Sequence, residues 1–84
     1  MTFRVIWKRT AESMLATIWI AALDRQAVAS AADRIDALLA ADPLNQGEAR
    51  SGNVRVLFEP PLGVQYEVIE PDQLVKVLRV WRVG

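Results

Sequence analysis

The chain has 84 residues, ten Lys and Arg against ten Asp and Glu, and neither histidine nor cysteine. The length sets the scale of one domain over residues 1–84, and the apolar content of 52% is that of a globular chain, not a disordered one. The composition excludes disulfides, thiolate nucleophiles, imidazole bases and Cys/His metal sites, so no metal and no cofactor is expected; the even charge balance is unlike that of a dedicated nucleic-acid binder.

"TFRVIWKR" alternates Phe3, Val5 and Trp7 against Arg4, Ile6 and Lys8, which predicts a strand. Thr10 is placed to cap a first helix, with Glu12 in the turn where a carboxylate meets the positive end of the helix dipole. Ala11, Met14, Leu15, Ile18 and Ala22 form its apolar stripe. Trp19 and Ile20 widen it, which predicts a helix covered on more than one side. Asp24 is placed to cap a second, alanine-rich helix whose stripe is Val28, Ala31/Ala32, Ile35 and Leu38/Leu39. Asp42-Pro43 ends it, because the residue before proline avoids the helical region. The link between the helices is very short, which predicts an antiparallel helical hairpin.

"LNQGEARSG" reads as a loop or an irregular strand start. "NVRVLFE", "VQYEVIE" and "LVKVLRVWRV" read as strands separated by "PPLG" and "PDQ" turns. The predicted class is α+β in the order β-α-α-β-β-β, a helical hairpin packed on a small, mostly antiparallel sheet. Strict alternation puts Val64, Tyr66 and Val68 on one face. It puts Arg55 with Leu57, opposite Val54, Val56 and Phe58. In the last strand it groups Val75, Val77, Arg79 and Trp81 against Lys76, Leu78, Val80 and Arg82. No apolar run reaches the roughly 18 residues a membrane span needs, and no apolar signal core follows "MTFRVIWKRT"; a cytoplasmic protein fits.

The whole chain resembles a RelE/ParE-type toxin of a bacterial type II toxin–antitoxin pair. The resemblance lies in the element order, in "RIDALLAADP" followed by Gly47, in "SGNVRVLF", and in the apolar final strand "QLVKVLRVWR" that ends on a basic residue. It implies a cognate antitoxin as partner in a toxin–antitoxin hetero-oligomer. It also implies one of two targets: the ribosome with its mRNA, cleaved as an mRNA interferase does, or DNA gyrase. A degenerate toxin that only binds its antitoxin is a third reading. By the same resemblance Arg55 matches the arginine of an "x-Arg-Val" strand and Arg50 a basic residue in the loop before it. Arg82, or alternatively Arg79, matches the basic residue of the last strand; Trp81 stands where members often carry Gly, His or Lys, so the register leaves both open. A guanidinium there would clamp phosphate oxygens and stabilise developing charge.

Each of these residues also has an ordinary reading as a solvated strand-end charge. Lys8 is a candidate to close a basic patch, and Trp81 to stack a nucleobase. The chain departs from the ribonuclease members in having no histidine. Its one tyrosine, Tyr66, sits mid-strand, where filling the core with the hydroxyl tied to a neighbour is the expected role. The partner is expected either as an amphipathic helix in the shallow groove of the helix pair or as a strand added to the sheet edge.

Overall fold

The computed structural model describes residues 2–84. The elements run β1 (Arg4–Trp7), α1 (Arg9–Ala21), α2 (Arg25–Ala41), β2 (Glu48–Ala49), β3 (Val54–Glu59), β4 (Leu62–Ile69), a 3-10 turn (Glu70–Asp72) and β5 (Leu74–Arg82). The expected α+β order is present, with one addition: the "LNQGEARSG" segment contributes the two-residue edge strand β2. The sheet order is β1-β5-β4-β3-β2, parallel between β1 and β5 and antiparallel elsewhere. No helix among the described residues is long and apolar enough to cross a membrane.

Both helices lie on one face of this sheet. The α2 stripe is buried as its spacing requires, through Val28, Ala31, Ile35 and Leu39, and these meet Leu57, Val64, Tyr66, Val68, Val75 and Val77 from the strands. Fully burying an aliphatic side chain of this size stabilises a fold by about 1.5–3 kcal/mol, so this stripe is the main anchor of α2. In α1 only Ala11 is fully buried, with Met14, Leu15, Ile18 and Ala22 packed at its margin. The expectation that α1 is covered on more than one side fails: Trp19 is 43% and Ile20 66% exposed.

The caps also differ from expectation. The first helix begins at Arg9, one residue before Thr10, because β1 runs straight into it; Lys8 occupies the cap position and accepts the Glu12 N–H through its carbonyl, with no side-chain cap. Asp24 does stand at the cap of α2 and accepts the Val28 N–H through its carbonyl, but its carboxylate is turned to Arg82. At the end of α1 the Trp19 carbonyl accepts the Ala22 N–H, and Arg25 donates from Nε to the same carbonyl (3.1 Å) and from Nη2 to the Ile20 carbonyl (2.9 Å).

One irregularity reorganises the sheet. Gln65 pairs with Arg79 while the next residue, Tyr66, pairs with Val77, so β5 carries one extra residue, Leu78, in a β-bulge. Alternation restarts out of phase beyond it. Val75, Val77 and Val80 all share the helix-covered face, and Lys76, Arg79 and Trp81 share the open one, opposite Glu67, Gln65 and Gly63. The face grouping predicted for the last strand is therefore wrong from residue 78 onward.

Candidate functional site

The open face of the sheet is the surface that the helices leave bare. Along β5 it presents Lys76, Arg79 and Trp81; Arg4 and Ile6 lie on β1 at its edge, with Ile6 opposite Lys76. Arg79 is exposed and makes no ion pair among the described residues. The Trp81 indole lies over Gly63: a Cβ built on that glycine would come within 2.7 Å of Trp81 Nε1. Phe58 meets the same indole edge-on, with ring centroids 6.1 Å apart and planes at 78°. The glycine beneath it and the phenyl ring beside it hold this aromatic plate on the open face, next to Arg79 on the same face. The face is not purely basic, since Glu67 and Glu48 stand on it as well.

The other sequence candidates are not gathered there. Arg82 lies on the helix side, where its Nη2 donates to Asp24 Oδ2 at 2.7 Å and ties the end of β5 to the turn between the helices. That guanidinium holds the Asp24 carboxyl below its ordinary range, chiefly through the hydrogen bond. Arg50 is in the β2–β3 hairpin and donates to Glu48 at 3.0 Å. Lys8 is exposed at the start of α1, where its N–H donates to the Val77 carbonyl.

Arg55 shares the helix-side face with Leu57, as the alternation predicts, and stands opposite Tyr66. Its Nε donates to the Gln46 carbonyl at 2.9 Å and its Nη2 to the Gly47 carbonyl at 3.4 Å. Two of its five N–H donors are thereby spent on the loop after α2. Tyr66 is completely buried, and its hydroxyl lies 2.8 Å from both the Pro43 and the Gln46 carbonyl oxygens, serving each with a single proton. Burial pushes the phenol above its ordinary value, against the opposing pull of Arg55. It is a neutral hydrogen-bond donor of the core, as its mid-strand position implies, and not a base.

Sequence reading passed over Lys76, Phe58 and Gly63 as members of this face. The bulge that turns Lys76 toward Arg79 leaves no signature in a run of alternating apolar and basic residues. Gly63 was legible only as part of the "PPLG" turn.

No family model and no curated protein matches the sequence. Solved structures do match the fold. The RelBE2 toxin–antitoxin complex of Mycobacterium tuberculosis aligns with a TM-score of 0.81 at 18% identity, over 98% of this chain and 92% of that one. The chromosomal ParDE system of P. aeruginosa gives 0.72 at 18% identity, over 99% and 98%. The isolated E. coli RelE toxin gives 0.66 at 13% identity, over 100% and 86%. The chain has the α+β fold of RelE and ParE toxins, as its element order suggested.

Proposed function

We propose that this chain, built on the RelE/ParE toxin fold, is the toxin of a toxin–antitoxin pair and arrests growth by acting on mRNA at the ribosome. The observation that carries the reading is the bulge in β5, which gathers Lys76, Arg79 and the Trp81 plate on the face that neither helix covers. Arginine and lysine on a flat, open face suit a single-stranded backbone, the guanidinium through paired hydrogen bonds to phosphate and the ammonium as a point charge. An indole held between Phe58 and Gly63 offers a stacking surface that tolerates any base. Charge developing on the scissile phosphate is stabilised by the two cations. Arg55 and Arg82 support this face from behind, one by fixing the loop after α2 and the other by fixing the end of β5. A cognate antitoxin is the proposed restraint on the activity, in keeping with the complexes in which similar folds were solved.

Induced expression of the chain is expected to arrest growth, and Lys76→Ala with Arg79→Ala to relieve the arrest while the protein remains folded and soluble. Transcripts from arrested cells are expected to carry cuts at translated codons. Full growth under strong induction with soluble protein present overturns the reading.

A second target is favoured by one specific observation: the one tyrosine is buried behind the sheet, so this face offers cations with neither a phenol nor an imidazole beside them. A gyrase poison of the ParE kind requires binding and no phosphodiester chemistry. Growth arrest with intact transcripts and inhibited supercoiling selects it.

A further inference from the structure

β1 accompanies β5 only as far as Val77, so the rest of β5, to Arg82, has no strand beside it there, and α1 packs on it instead. Between α1 and this edge lies an open cavity of about 540 Å³. One wall is the row Thr10, Ser13 and Thr17 of α1, at helical spacing; the other is Arg79, Trp81 and Arg82 of β5. Arg79 and Trp81 belong to the open face and Arg82 to the helix side, so the cavity wraps around the edge of the sheet. Its charged lining is cationic throughout. Arg79 makes no ion pair among the described residues, and Arg82 commits its Nη2 to Asp24 at 2.7 Å. Thr17 donates its hydroxyl proton to the Ser13 carbonyl at 3.0 Å, which leaves the exposed Thr10 and Ser13 as the hydroxyl donors of the helix wall.

The geometry points to this cavity as a second phosphate subsite for single-stranded RNA. The strand crosses the open face, turns over the edge of β5 at Arg79, and lays a flanking phosphate against the Thr10 and Ser13 hydroxyls. The charge of the lining selects an anion. Glu67 and Glu48 dilute the open face, whereas no carboxylate lines the cavity. A guanidinium has five N–H donors, enough for Arg79 to serve one phosphate on the open face and the next one at the edge. Threonine and serine hydroxyls are ordinary phosphate donors, which set the path of a strand and carry no sequence information. The row from Thr10 to Thr17 is about 10 Å long at 1.5 Å per residue, so it follows the strand past the turn and is not confined to a single point. The Trp81 plate lines both places, which makes the base-stacking surface and the phosphate track continuous. The inference rests on the reading that the target is mRNA, and it adds where the strand goes after it leaves Lys76 and Arg79.

The test uses the whole chain and two fluorescein-labelled oligouridylates, roughly four and roughly ten nucleotides long, within the span that compact single-strand binding domains cover. The short strand is satisfied by the open face; the long one must also pass over the edge. Thr10→Val with Ser13→Ala is expected to weaken the long strand by roughly fivefold or more in fluorescence anisotropy and to leave the short one unchanged. Ser13→Arg adds a phosphate contact instead. It is expected to tighten the long strand alone and to steepen its log–log salt dependence by about 0.7, and it decides the matter should the double variant unfold, as judged by circular dichroism. Equal losses for the two strands, no loss for the long one, no binding of either, or displacement of the long strand by inorganic phosphate alone overturns the proposal. Growth arrest and transcript cleavage are read separately. Relief of arrest and loss of cuts in Lys76→Ala with Arg79→Ala, beside an unchanged long strand in the hydroxyl variants, removes the edge track and keeps the mRNA reading. A loss confined to the long strand, in a chain whose cellular transcripts stay intact, supports the track and defeats that reading.

Discussion

Gly47 and Gly52 provide a paired experiment on what holds the loop after α2. Both have left-handed backbones, with φ of +62° and +58°. Replacement by alanine therefore costs either site about 1–2 kcal/mol of backbone strain. The surroundings differ. A Cβ at Gly47 would sit 2.1 Å from the Val56 carbonyl oxygen and 2.8 Å from its carbon, whereas a Cβ at Gly52 meets nothing within 4 Å. The obstacle at Gly47 is the backbone of β3, inside the sheet, so the loop itself must move. That motion pulls the Gln46 carbonyl away from Arg55 Nε at 2.9 Å and from the Tyr66 hydroxyl at 2.8 Å. Each of those bonds contributes about 1 kcal/mol, and the one to the guanidinium somewhat more. Gly47→Ala is therefore expected to lose about 3–5 kcal/mol, and Gly52→Ala about 1–2 kcal/mol. A domain of this size holds roughly 4–13 kcal/mol in total, so the first variant approaches the limit of stability. At about 4–8 °C per kcal/mol its melting temperature falls by roughly 12–40 °C, against roughly 4–16 °C for the second. Urea and thermal unfolding followed by circular dichroism read the difference. Losses within about 1 kcal/mol of each other would refute the clash and the role given to Arg55 and Tyr66 in closing the loop.

Tyr66→Phe removes the proton that serves two buried-side carbonyls and is expected to lower stability by about 1–2 kcal/mol in a urea titration. The same tyrosine sets an alkaline limit. Its folded pKa is raised by burial, so its contribution is intact below the ordinary value of about 10 and declines as pH rises through the folded value; ultraviolet absorbance should show phenolate appearing at higher pH in the folded chain than in the unfolded one. Asp24 acts at the other end of the scale. Arg82 lowers its pKa, so its contribution is present above the ordinary aspartate range and is lost as pH falls through the folded value; acidification should lower the melting temperature of the native chain more than that of Asp24→Asn or Arg82→Ala. Arg25→Ala uncovers the Trp19 ring and the last carbonyls of α1, and a red shift of tryptophan emission with loss of helical ellipticity near the hairpin is the expected outcome.

The parts of the fold that were legible in the sequence are those set by a regular period. The α2 stripe Val28–Ala31–Ile35–Leu39 buries as spaced, and Asp42-Pro43 ends that helix where the proline rule places it. Alternation in β3 and β4 correctly set Arg55 and Leu57 against Val54, Val56 and Phe58, and turned Tyr66 into the core. The failures came from features that a regular period does not carry. Thr10 lost the cap because β1 feeds α1 directly. Asp24 kept the position, but its carboxylate found a guanidinium 58 residues away more favourable than the helix N-terminus. Trp19 and Ile20 looked buried because apolar breadth alone does not say what covers it. The site suffered most. One extra residue in β5 shifts every following side chain to the other face, so Arg79 and Trp81 join Lys76 on the open face and Arg82 goes to the helix side, the reverse of strict alternation.

The pairing of Arg4–Trp7 with Leu74–Val77 has a temporal consequence. β1 is held by β5, which is made after every other strand of this sheet, and α1 packs chiefly on that same late strand. A nascent chain that has emerged only as far as β4 has no partner for β1 and no floor beneath α1. Such high contact order makes local folding unrewarding until β5 is free. The sheet, and with it the cationic face that β5 carries, is therefore completed only once β5 itself has emerged from the ribosome that synthesises it.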